Sequence, residues 1–163
     1  MKELCGLFED CGLSGVESFI ASGNVIFTSS SRNIEAVEKR IETHLRKSLG
    51  YEVKTLVRTE AEVAAIAAYA PFTVSRMKSA VACNVAFLDK PLDAAALKLL
   101  MTMHSDIDDF HVHGREVYWL CRKKQSESKF SNAVFEKTLK IRATFRGLRT
   151  IAKLAARLVS MAE

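Results

Sequence analysis

No Cys-x-x-Cys pair occurs in this chain of 163 residues; its four cysteines, Cys5, Cys11, Cys83 and Cys121, are scattered. That spacing excludes the paired-thiol redox and zinc motifs. Leu4, Leu7, Phe8 and Cys11 share a helical face, and Cys121 alternates with Val117 and Trp119, so these thiols read as small core hydrophobes. Reduced thiols and a cytoplasmic location are the expectation. No apolar run approaches the roughly 20 residues that span a bilayer, so no membrane partner is expected. The first ten residues carry three acids, Glu3, Glu9 and Asp10, and no small-residue cleavage site, so they are not expected to be a signal peptide. There is no P-loop and no dinucleotide fingerprint, and no cofactor is called for. What is present is ordinary for a globular protein: 48% hydrophobic and 26% charged residues.

The charge is unevenly spread. Residues 115–163 hold twelve Lys/Arg against four Asp/Glu, a balance of +8, whereas residues 1–114 hold twelve against fifteen, a balance of −3. An electrostatic partner should therefore meet the C-terminal third first.

Periodicity predicts a helix over residues 2–12, strands over Val16–Ile20 and Asn24–Thr28 joined at Ser22-Gly23, and a helix opened by Asn33. A strand over Val53–Arg58 follows. Thr59 and Glu62 form a capping box before a helix that Pro71 must end. The cycle then restarts with a strand over Val81–Leu88 and a helix capped by Asp93. A hairpin follows, Ile107–Val112 and Glu116–Arg122 turning at His113-Gly114. A helix from about Asn132, a strand over Ile141–Phe145 and a helix from Leu148 complete the chain. The expected fold is α+β, two ferredoxin-like (α/β plait) halves in tandem. They are 1–58 and 81–163, with 59–80 as a connecting helix and loop. The first half lacks its opening strand. That strand is normally central, so either the sheet is rearranged, a partner chain supplies a strand in a dimer, or the natural protein has further N-terminal residues.

Several motifs together resemble a known family. They are Ser22-Gly23-Asn24-Val25, Val57-Arg58-Thr59, Gly114-Arg115-Glu116-Val117-Tyr118, Ser128-Lys129-Phe130-Ser131-Asn132 and Ala143-Thr144-Phe145-Arg146. In this order they resemble the bacterial domain of unknown function family 1697. The resemblance implies tandem α/β plaits and no established activity. Members usually begin with a strand and a glycine-rich loop that have no counterpart here, which implies a misplaced start or a deleted upstream segment. The usual Arg-Asn-Trp near the C-terminus reads Arg146-Gly147-Leu148.

Ser126 and Lys129 have the Ser-x-x-Lys spacing of serine acyl-transfer enzymes, but two further residues separate them from the helix start, and the partner motifs are missing. A lysine beside a helix N-terminus, with hydroxyls near, instead suits an anion. The expected function is a binding module for a small anionic or phosphate-bearing ligand. Lys129 and Arg146 would supply charge and Ser131 and Asn132 directional hydrogen bonds. Ser128, Ser22 and Asn24 are further ligand-binding candidates. The alternatives are a small-molecule enzyme using the same cleft, its catalytic residues unknown, and a nucleic-acid binder. The nucleic-acid reading rests on Arg146, Arg149, Lys153 and Arg157, which fall within about an 80° arc of a helix. His111 and His113 share a strand face but read as hairpin surface, and no metal site is expected.

Overall fold

Leu4, Leu7 and Phe8 recur at helical spacing and form the inner face of helix α1 (Lys2–Asp10). The computed structural model describes residues 1–20 and 23–163, and the chain divides into two units, Met1–Arg58 and Thr59–Glu163. In the first, Gly12 takes a left-handed φ of 82° that a side chain would resist, and so ends α1. Strands β1 (Ser14–Ser18) and β2 (Val25–Thr28) pair antiparallel, with a register irregularity between Ser14 and Glu17. The first strand thus starts two residues before the expected Val16. Ser22, in the expected turn, lies outside the described residues.

Helix α2 (Ile34–Leu49) opens where Asn33 accepts a hydrogen bond from Ala36 N and closes at left-handed Gly50. Its buried stripe, Val37, Ile41 and Leu45, packs with Phe8 and Leu13 to make the core of this unit. The strand expected over Val53–Arg58 is corrected. Among the described residues this segment joins no ladder. A strand exists only as a pair, and here the donors a neighbouring strand would use go to carboxylates of α2. Thr55 N donates to Glu42 Oε1 at 2.9 Å and Val57 N to Glu38 Oε1 at 2.8 Å. Val53 and Val57 still pack against the core.

The second unit starts with the capping box. Glu62 N donates to Thr59 Oγ1 and Thr59 N to Glu62 Oε2, opening α3 (Glu60–Ala68). The segment expected to connect the halves belongs to this unit, and holds a helix the sequence pattern did not reveal, α4 (Val74–Ser79), capped by Thr73. Then come β3 (Ala82–Phe87), α5 (Ala94–Met101), β4 (Asp108–His113), β5 (Glu116–Cys121), α6 (Asn132–Leu139), β6 (Thr144–Gly147) and α7 (Leu148–Ala162). The four strands form one antiparallel sheet in the order β4-β5-β3-β6.

Register decides what each face carries, because side chains alternate along a strand. Phe110 pairs with Trp119, Trp119 with Asn84, and Asn84 with Gly147. One face therefore holds Phe110, Val112, Val117, Trp119, Ala86 and Phe145. It packs against Leu100 of α5, Phe135 and Leu139 of α6, and Phe130 in the main core of the unit. The other face carries the row His111, Tyr118, Val85, Arg146, each directly opposite the next. Helix α7 contacts β3 and packs against α3.

Candidate functional site

Residues 122–131 join β5 to α6, and their placement starts from one buried carboxylate. Asp108, 3% exposed, accepts Trp119 Nε1 at 2.7 Å and the hydroxyl of Ser128 at 2.7 Å. Ser128 Oγ also accepts Phe130 N at 2.9 Å. A hydroxyl has one hydrogen to give, so the hydrogen of Ser128 is spent within the fold. Phe130 is buried and meets Phe110 and Trp119 edge-on, with ring centroids 4.6 and 4.8 Å apart. Between these two anchored neighbours stands Lys129, exposed and outside every ion pair among the described residues.

Ser131, not Asn132, is the cap of α6. Its Oγ accepts Val134 N at 3.2 Å, which leaves its own hydrogen to donate. Asn132 is exposed in the first turn. Ser126 sits in a short 3-10 turn, Gln125–Glu127, not at a helix start. The Ser-x-x-Lys pair therefore lacks the one-turn helical geometry an acyl-transfer dyad uses.

Other expected site residues lie apart. Arg146 is corrected twice. It belongs to β6, not to the final helix, and it lies on the sheet face opposite Phe130 and Trp119, since it pairs with Val85. Burial pushes its guanidinium pKa down, and its Nη1 donates to Phe145 O. Asn24 belongs to the first unit, where Nδ2 donates to Phe19 O at 3.1 Å and Phe19 N donates to Asn24 O, closing the hairpin. Ser22 lies outside the described residues.

The second face of the sheet holds polar chemistry that sequence reasoning missed. The Tyr69 hydroxyl and His111 Nε2 are hydrogen-bonded at 2.7 Å, and the Tyr69 ring stacks on His113 at 4.0 Å. Tyr118, 0% exposed, buries its hydroxyl without a hydrogen-bond partner among the described residues. Burial, then Glu116, Tyr69 and Cys83, raise its pKa. Burial also pushes the Cys83 thiol up to about 11, which makes it a poor nucleophile. At the strand end, Asp109 is held by Arg122 and by His104 at 2.6 Å. Burial alone would raise this carboxyl, but the hydrogen bonds from Arg122 and His104 outweigh it and lower the pKa. The alternation of His111 and His113 was readable in the sequence. The arrival of Tyr69, 42 residues away from His111, was not. Among the described residues no group of three or more His, Cys, Asp or Glu could hold a metal ion, and no helix is long and apolar enough to cross a membrane.

Comparison with solved structures finds a match to "conserved bacterial protein SP0830 from Streptococcus pneumoniae". The identity is 21%, the TM-score 0.69, and the match covers 97% of this chain and 88% of that one. At that identity the likeness speaks to the fold alone. No curated protein matches the chain. The pattern of the family described as "Protein of unknown function (DUF1697)" matches residues 1–118, well over half of the sequence, and the chain belongs to that family.

Proposed function

We propose that this protein binds a small anionic or phosphate-bearing ligand at the N-terminal end of α6, with Lys129 supplying the charge. The observation that carries this reading is the mount of Lys129. The backbone of exposed Lys129 is held between Ser128, tied to buried Asp108, and Phe130, locked among aromatic rings. A loop fixed in this way loses little backbone freedom on binding. Around it, Ser131 has a hydrogen to donate, Asn132 an amide, and the first turn of α6 has N–H groups beyond the reach of intrahelical partners. Arg146, on the sheet face opposite Phe130, is left out of this site, and Ser128 acts as the anchor. The test is a thermal-shift screen of inorganic phosphate and phosphate-bearing compounds. At a hundredfold excess over Kd the melting temperature should rise by about 5–10 °C, and Lys129→Ala should remove the rise. No shift in the wild type for any compound would end this reading.

We also take the fold as two α/β plaits in tandem. Support comes from the β-α-β-β-α-β order of the second unit, with its first and third strands (β3 and β5) at the sheet centre. The first unit supports it less fully, with α-β-β-α followed by an extended segment. Expression of residues 59–163 alone checks this; a plait should melt cooperatively. A cytoplasmic location accords with four free thiols, and is checked by counting alkylatable cysteines in protein isolated without reductant.

A further inference from the structure

We propose that strand β2 pairs antiparallel with β2 of a second copy of this chain, joining two two-stranded sheets into one of four strands. An open backbone edge carries this inference. A strand offers N–H and C=O groups on both sides, and β2 uses one side only, against β1. Among the described residues no other hydrogen bond reaches Val25–Thr28, from backbone or side chain. Groups left in this state hold water or recruit another strand.

The occupant follows from comparing the edges. Among the described residues the strands at sheet edges are β1, β2, β4 and β6. β1 carries Glu17 and a register irregularity between Ser14 and Glu17. β4 carries Asp108 and Asp109, and β6 carries Arg146. Charges and irregularities keep an edge from pairing, and self-pairing would bring like charges together. β2 reads Val25-Ile26-Phe27-Thr28, without charge, glycine or proline, and each residue is a strong strand former. An antiparallel pair is symmetric about a two-fold axis, so an uncharged edge is complementary to its own copy. The apolar pattern also sets the register. Val25 and Phe27 pack on the core of their unit, so Ile26 lies on the other face of the strand. The two cores share one side of the joined sheet only when residues of the same facing stand opposite. Ile26 opposite the partner's Ile26 meets this condition and sets Val25 opposite the partner's Phe27, an aromatic–β-branched pair. A register centred on Phe27 would place polar Thr28 opposite Ile26. So short a seam buries less than the roughly 1,200 Å² of a standard interface, and the dimer is weak.

The test is sedimentation velocity of the full chain over about a hundredfold range of concentration. The weight-average mass should climb towards about twice that of the monomer. Ile26→Lys should hold it at the monomer value, because two ammonium groups would face each other. Ile26→Thr, which keeps a strand former and adds no charge, should still dimerise, so the pair of variants separates a lost contact from a lost fold. Ile26→Cys reads the register. Oxidised with diamide at high concentration, it should link two chains by a disulfide between the introduced thiols, since directly opposite side chains are near enough. The wild type, with its four free cysteines, should give no such link under the same treatment. A constant monomer mass, a dimer that survives in Ile26→Lys, or no cross-link beyond that of the wild type would each overturn the proposal. So would a monomer whose β2 amides are all protected from hydrogen exchange, because another strand would then cover the edge.

Discussion

Asp108 and Ser128 lie twenty residues apart, and nothing in their spacing announces that one hydroxyl holds the loop of the other. Ser128→Ala would leave Phe130 N without its acceptor and Asp108 Oδ2 with only the Ser105 hydroxyl, at a cost of about 1–3 kcal/mol. Urea unfolding at neutral pH measures it; a loss under about 0.5 kcal/mol would mean water replaces the hydroxyl. Tyr118→Phe should go the other way. Removing a buried hydroxyl that has no partner is neutral or stabilising by up to about 1 kcal/mol, and a clear destabilisation would mean the hydroxyl has found one. Asp109 predicts a pH dependence. Its folded pKa is depressed, so the unfolded chain binds that proton more readily. The stabilisation is complete above the ordinary aspartate range near 4 and is lost as pH falls through the depressed folded value. The stability gap between wild type and Asp109→Asn should therefore be wide at pH 7 and shrink below about pH 4. A gap constant across that range would show that the ion pair contributes nothing.

Among the elements, helix openings were the most legible. Asn33, Thr59 and Asp93 each cap the helix that their positions forecast, because a cap is a local bond across three residues. The opening of α6 was legible too, since the helix starts at Asn132 as expected, with Ser131 as its cap. The segment 53–58 shows the limit. Its composition is that of a strand, yet strand pairing is settled by a neighbour, and here Glu38 and Glu42 take two of its donors. Glu38→Ala should destabilise the first unit by about 1–3 kcal/mol and speed hydrogen exchange at Val57. Unchanged exchange there would show that this carboxylate does not hold the segment.

For the molecule as a whole, the four-stranded sheet is a partition. Phe135 lies fully buried on one side, in contact with Phe130 and Phe145. Phe135→Ala should cost about 3–5 kcal/mol; a fall in melting temperature of only a degree or two would place it outside the cooperative core. Arg146 lies on the face of this sheet opposite Phe130, the neighbour of Lys129, although the sequence reading had joined Arg146 and Lys129 in one site. Composition, helix periods, caps, the hairpin at Gly114 and the charge imbalance are properties of short stretches, and the sequence by itself determined them. Which face a strand residue occupies, and which distant side chain meets it, depends on register between strands far apart in the chain. A shift of one residue exchanges the faces. Tertiary structure alone therefore decided that Ser128 is an anchor, that Tyr69 reaches His111, and that Arg146 and Phe130 stand on opposite faces.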